Sequence, residues 1–189
     1  MKLNKLIAIA TISLLSGGIS MAQKALNLED IVAGNVIQTK GIGSMTWLKD
    51  GERYSRLENN KQTGGTDIVA YQAKDNSREV IIPSSLLTDK STGKPIPARS
   101  ISWSADNKKV LIYNNTQRVW RYDTRGDYWV LNLKDGALRQ LGKGMPESSM
   151  MFAKFSPDGT RVAYVSNNNI YVEDIDSGKI TQLTKDGSD

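Results

Sequence analysis

From Ser44 onward the chain reads as short apolar runs set between clusters of Asp, Asn, Gly and Ser. Residues 110–113 (Val-Leu-Ile-Tyr), 128–131 (Tyr-Trp-Val-Leu), 162–165 (Val-Ala-Tyr-Val) and 170–172 (Ile-Tyr-Val) are the clearest. β-Branched and aromatic residues in runs this short, bounded by turn formers, predict strands. No long helical periodicity interrupts them. The one helical expectation lies earlier, a short helix over residues 26–32. The fold class expected is all-β.

The strands repeat. Trp129 aligns with Tyr171, Gly136 with Gly178, Leu138 with Ile180, Gln140 with Gln182 and Leu141 with Leu183, every pair 42 residues apart. A period near 42 with several short strands per unit is the signature of a β-propeller blade. Gly136 and Gly178 fall where a turn between strands needs a positive φ. A second element comes earlier in each unit. Residues 103–107 (Trp-Ser-Ala-Asp-Asn) match 155–159 (Phe-Ser-Pro-Asp-Gly), and 47–51 (Trp-Leu-Lys-Asp-Gly) are a looser copy. An aromatic residue there ends one strand and a tight turn leads into the next. About three blades result, starting near Ser44, Arg99 and Ser149.

The spacings of the two elements differ. Trp103 to Phe155 and Val110 to Val162 are each 52 residues, against 42 for the later pairs. The second blade therefore carries ten extra residues between Tyr113 and Tyr128, a segment rich in Arg and aromatic residues. Insertions in repeat folds map to loops, and loops on a rigid scaffold commonly carry function. A merely elongated, solvated hairpin is the plain alternative. Three blades are also fewer than the four to eight of a closed ring, and the chain stops in a loop-like stretch, residues 184–189. The expectation is an N-terminal piece of a longer protein. Ring closure by self-association and a degraded gene are the alternatives.

Composition narrows the chemistry. The 189 residues contain no His and no Cys. That excludes disulfides, a thiol nucleophile, the usual zinc sites and a Ser-His-Asp or Cys-His centre within this chain. Lys2 and Lys5 precede an apolar stretch over residues 6–15, and Ser20-Met21-Ala22 offers the small residues that a signal peptidase reads. This predicts a signal peptide over residues 1–22, cleavage before Gln23, and export to the periplasm or beyond the cell. An uncleaved anchor is the alternative. No second stretch is long enough to span a membrane, so no membrane span is expected after cleavage. Removing Lys2 and Lys5 leaves 23 basic against 20 acidic residues, spread along the chain. Such a balance gives no reason to expect nucleic acid as a partner.

These residues resemble the dipeptidyl peptidase IV family of prolyl-oligopeptidase-like serine peptidases. Residues 28–32 look like the short element before that family's propeller, and residues 44–47 and 101–104 like the starts of its first and second blades. Residues 155–165 with 168–172 look like the third. The most specific piece is Val119-Trp120-Arg121-Tyr122 followed by residues 128–133. The Ser-Pro-Asp-Gly element is common to many propellers and weighs little. The implied organisation is a lead-in segment over residues 23–43 and a partial N-terminal propeller, three blades of eight, over residues 44–189.

The resemblance implies an exported hydrolase that releases dipeptides, or tripeptides in one subgroup, from peptides with a free N-terminus, favouring Pro or Ala before the cut. It places the family's substrate-binding arginine at Arg121, where a guanidinium would contact a carbonyl of the substrate's N-terminal part. A surface ion pair is the structural alternative for Arg121. The family's paired glutamates would follow just after Asp189, and no Gly-x-Ser-x-Gly nucleophile elbow is present. No catalytic residue is therefore expected in this chain, which alone should be inactive. No cofactor and no metal are implied, and a homodimer is common in full-length members. The competing expectation is a non-catalytic exported binding propeller of TolB-like type.

Other signals are read as structural. Arg125-Gly126-Asp127 is taken as part of a hairpin turn, Asn114-Asn115-Thr116 as a bare glycosylation pattern, and residues 174–178 as a turn and not a calcium loop. The adjacent pairs Glu29-Asp30 and Glu173-Asp174 are not expected to serve one site.

Overall fold

The structure, a computed structural model, describes residues 27–32, 41 and 43–188. The chain divides into two compact units, Met1–Gly41 and Ile42–Asp189. The described part of the first holds one short helix, α1 (Leu28–Val32), within the stretch expected to be helical. The signal expected over residues 1–22 lies outside the described residues. Among the described residues no helix is long and apolar enough to cross a membrane.

The described residues of the second unit form twelve strands in three groups of four. Blade one holds β1 (Thr46–Trp47), β2 (Arg53–Asn59), β3 (Thr66–Gln72) and β4 (Arg78–Ile82). Blade two holds β5 (Ser100–Trp103), β6 (Lys109–Val119), β7 (Tyr122–Asn132) and β8 (Ala137–Gln140). Blade three holds β9 (Met151–Phe155), β10 (Arg161–Ser166), β11 (Asn169–Asp174) and β12 (Ile180–Gln182). Each group is an antiparallel sheet whose strands neighbour one another in chain order. The 42-residue repeat is visible in the register, since Trp129 lies opposite Gln140 and Tyr171 opposite Gln182.

Local chemistry explains the turns. The turn after each blade's first strand carries an aspartate, Asp50, Asp106 or Asp158. Its Oδ1 accepts the backbone N–H two residues on, from Glu52, Lys108 and Thr160 respectively. The following Gly51, Asn107 and Gly159 have φ of 72°, 56° and 67°. Only Gly and a few short polar residues such as Asn adopt that region readily. Gly136 and Gly178, at 66° and 71°, do the same before each fourth strand.

Blade two is buried on both faces, and the two-residue period of a strand does the sorting. On β6, Val110 and Ile112 join Ile68, Ile82, Leu87 and Ile96 of blade one and the segment after it. Leu111, between them, joins Val162, Tyr164 and Ala153 of blade three. Each fully buried Ile or Leu contributes about 2 kcal/mol. Polar bonds add to the joints. Trp103 Nε1 donates to Ser55 Oγ at 2.9 Å, tying blade two to blade one.

At the Leu131 position of the repeat, blade three places Glu173, whose side chain is only 2 % exposed. It accepts from Arg139 at 2.9 Å, from the Gly142 N–H at 2.8 Å and from the Tyr164 hydroxyl at 3.2 Å. A buried carboxylate is tolerable only with donors of this kind.

A clasp recurs between blades. Asp67 on β3 accepts the Ser84 N–H at 2.7 Å and an Asn60 amide N–H at 3.1 Å. Asp127 on β7 accepts the Ser148 N–H at 2.8 Å and an Asn115 amide N–H at 2.7 Å. In blade three Asn169 takes the same place, accepting the Gly187 N–H at 3.2 Å. In each case a third-strand side chain holds the backbone that follows the fourth strand.

Candidate functional site

Strands β6 and β7 are eleven residues each, the longest among the described residues. The ten-residue insert thus extends two paired strands into a long hairpin, the alternative to a loop that the sequence left open. Ladder pairing continues to Val119 opposite Tyr122, so Trp120 and Arg121 make the turn itself. Register shifts interrupt the ladder between Asn114 and Gln117 and between Gln117 and Arg118. Extra residues of this kind bend a strand pair and re-aim its end.

Trp120 sits at the tip with φ of 62° and is 91 % exposed. A bulky residue in the left-handed region costs of order 1 kcal/mol and persists where the surroundings hold it. Here Arg118 Nε donates to the Trp120 carbonyl at 3.2 Å. Tyr122, on the other side of Arg121, is 72 % exposed.

Behind the tip lies a pocket of about 570 Å³ lined by Arg99, Arg118, Arg121, Tyr113, Tyr122 and Asp123, with Ser44 and Ser100 at its edge. Arg99 pairs with Asp123 at 3.2 Å. Arg121 is exposed and makes no hydrogen bond, ion pair or ring contact with any described residue. The surface ion pair considered from the sequence is absent among the described residues. With one of three guanidinium groups neutralised by Asp123, the pocket carries net positive charge. An unpaired guanidinium offers five N–H donors.

The base of the hairpin is held from three directions. The Tyr113 hydroxyl lies 2.9 Å from the Asp123 carbonyl and 2.8 Å from that of Arg125, donating its one proton between them. Burial, with the Tyr128 and Asp123 charges, pushes this phenol up to about 12. Gly126 and Met150 exchange backbone bonds of 3.0 and 3.1 Å, linking β7 to the approach to β9. Asn115 donates to Asp127 and to Glu147, while the Ser148 hydroxyl donates to the Asn115 carbonyl at 2.7 Å.

The remaining sequence signals fall as follows. Arg125-Gly126-Asp127 lies inside β7, in a strand and not in a turn, because the hairpin closes earlier, at Trp120 and Arg121. Asn114, the acceptor of the glycosylation pattern, is buried. Asp174 closes a turn, its Oδ1 accepting from Ser177 N–H and Oγ. No cluster of metal-ligating side chains occurs among the described residues. Sequence reasoning singled out Arg121 but missed Arg99, Tyr113, Arg118 and Gly126. Gly126, a lone glycine within an Arg- and aromatic-rich insert, was the one local signal of a close backbone approach.

The fold and this hairpin define an all-β module of propeller blades whose second blade presents an arginine beyond the sheet. Residues 104–189 match the family described as dipeptidyl peptidase IV (DPP IV) N-terminal region. The chain is 26 % identical over 181 residues to the probable dipeptidyl-aminopeptidase B of Aspergillus terreus, covering 91 % of this chain and 20 % of that protein. Its likeness to the protein of that name in Neosartorya fischeri is 33 % over 97 residues, 51 % of this chain and 11 % of the relative. Among solved structures, Porphyromonas gingivalis dipeptidyl peptidase 4 shares the fold, with a TM-score of 0.70 and 23 % identity over 87 % of this chain and 22 % of that one. The chain spans about a fifth of the length of the curated relatives it matches.

Proposed function

We propose that this chain is the N-terminal propeller portion of an exported serine exopeptidase, and that Arg121 binds substrate in it. The substrates are peptides with a free N-terminus, shortened by a dipeptide or tripeptide with Pro or Ala before the cut. The observation that carries this reading is the free guanidinium of Arg121, held over a cationic pocket by an extended and braced hairpin. A guanidinium without a protein partner is available to a carbonyl oxygen, and hydrogen bonds from charged donors are worth about 1.5–3 kcal/mol. The dipeptidyl-aminopeptidase relatives supply the reaction class.

The test uses the complete gene product with chromogenic X-Pro and X-Ala dipeptide substrates. The wild type should release dipeptides, and the exported enzyme should begin at Gln23. Arg121→Ala should lower kcat/KM about tenfold to a hundredfold with an unchanged melting temperature. Absence of exopeptidase activity would overturn the reaction class. Unaltered kinetics in Arg121→Ala would remove the role of the arginine.

A further inference from the structure

The hairpin that carries Arg121 depends on one side chain outside its tip. Tyr113 is on β6 before the ladder is interrupted, and its hydroxyl reaches across to the carbonyls of Asp123 and Arg125 on β7. Asp123 is two residues from Arg121. The bond pair therefore spans the place where the regular ladder slips, and it substitutes a side-chain tie for lost backbone regularity.

The approach requires Gly126. A Cβ at that position would lie 2.4 Å from Tyr113 Cε2 and 2.7 Å from the Asn114 carbonyl oxygen. The φ of Gly126 is not in the left-handed region, so the demand there is for space and not for backbone freedom. On its other side the Tyr113 ring stacks on Tyr128, ring centres 4.7 Å apart. The phenol is thus pinned between β7 and the core shared with blade three. Arg99, paired with Asp123, adds a second and more exposed tie at the same level.

We propose that Tyr113 is a positioning residue for Arg121: received over Gly126, its hydroxyl fixes the bend of the β6–β7 hairpin and so the direction in which the guanidinium is presented. It touches no substrate and acts through Arg121. The proposal rests on the substrate-binding role of Arg121 given above.

Tyr113→Phe keeps the ring and its stacking and removes the hydroxyl alone. Two measurements test it. In the 189-residue chain, hydrogen exchange of the amides of residues 117–125 should accelerate about tenfold in Tyr113→Phe, with the β9–β12 amides unchanged. In the complete gene product, Tyr113→Phe should lower kcat/KM about tenfold, mainly through KM. Added to Arg121→Ala it should lower kcat/KM no further. Gly126→Ala, which displaces the ring, should reproduce the loss.

Unchanged hairpin exchange in Tyr113→Phe would overturn the positioning role whatever the kinetics. Independent losses that multiply in the double variant would also overturn it, because they place the effect of Tyr113 elsewhere. Full activity in Arg121→Ala would remove the underlying arginine reading, and with it the proposal. An altered hairpin exchange beside that result would leave Tyr113 as a brace of the hairpin only.

Discussion

At the scale of single residues, Tyr113 shows how one hydroxyl couples a hairpin to the pH of its surroundings. Its folded value near 12 stands against an ordinary 10. Between those values the unfolded chain gives up a proton that the folded chain keeps, so rising pH favours unfolding. The contribution is intact below pH 10 and is lost as pH rises through 12. Tyr128 and Tyr164 are also pushed up, chiefly by burial, with the Glu173 carboxylate adding to the effect at Tyr164. Urea midpoints measured between pH 9 and pH 12 should therefore fall with pH, and fall less steeply in Tyr113→Phe. An equal slope in the two proteins would mean that the hydroxyl is not held against ionisation. The insert that carries Arg121 was legible in the sequence because it breaks the repeat, while the role expected of Arg121 came from the family resemblance. The part played by Tyr113 was not legible. Its partners are ten and twelve residues away across a slipped ladder, and no periodicity records which carbonyl a side chain meets.

At the scale of elements, the joint between blades two and three centres on Glu173. β11 supplies the carboxylate, β8 supplies Arg139, the segment after β8 supplies the Gly142 N–H and β10 supplies Tyr164. Removing the carboxylate leaves buried donors without a partner, a change that costs about 3 kcal/mol in comparable sites. Glu173→Ala should lower stability by roughly that amount, read from denaturant midpoints at pH 7. A loss below about 1 kcal/mol would mean that water replaces the carboxylate. The repeat made the position visible and hid its character. Glu173 aligns with Leu131, a core residue, so only the structure shows that a charge fills an apolar slot. Blade one was the faintest in the sequence for a related reason. β2 runs Arg-Tyr-Ser-Arg-Leu-Glu-Asn and β4 begins with Arg78 and Glu79. Tyr54 and Tyr71 stack with each other, and Arg56 lies over Tyr71 at 5.7 Å. Strands whose second face is aromatic and charged lack the clean apolar alternation that pattern reading needs.

At the scale of the whole molecule, two cores share the middle sheet without merging. One joins blades one and two, the other blades two and three. Stability in such arrays is close to a sum of unit and nearest-neighbour terms. Ile68→Ala and Val162→Ala should each cost about 3 kcal/mol and act locally. Hydrogen exchange should show the first releasing β1–β4 ahead of β9–β12, and the second the reverse. Uniform acceleration through all three sheets in either variant would show that the unit opens as one body. The three-blade count and the 42-residue repeat were legible because each blade repeats the same turn chemistry. The clasps between blades were not: Asp127 and Asn169 occupy one position of the repeat, but nothing in the sequence shows which backbone N–H each one meets. Their arrangement has a consequence for synthesis. Each clasp is completed by backbone beyond its own blade, and Ser148 follows Asp127 by 21 residues. On a nascent chain leaving the ribosome from its N-terminus, the hairpin bearing Arg121 is made before the part that locks it. Each blade is secured by the link that leads out of it, so its clasp can close only once the chain beyond it has been made.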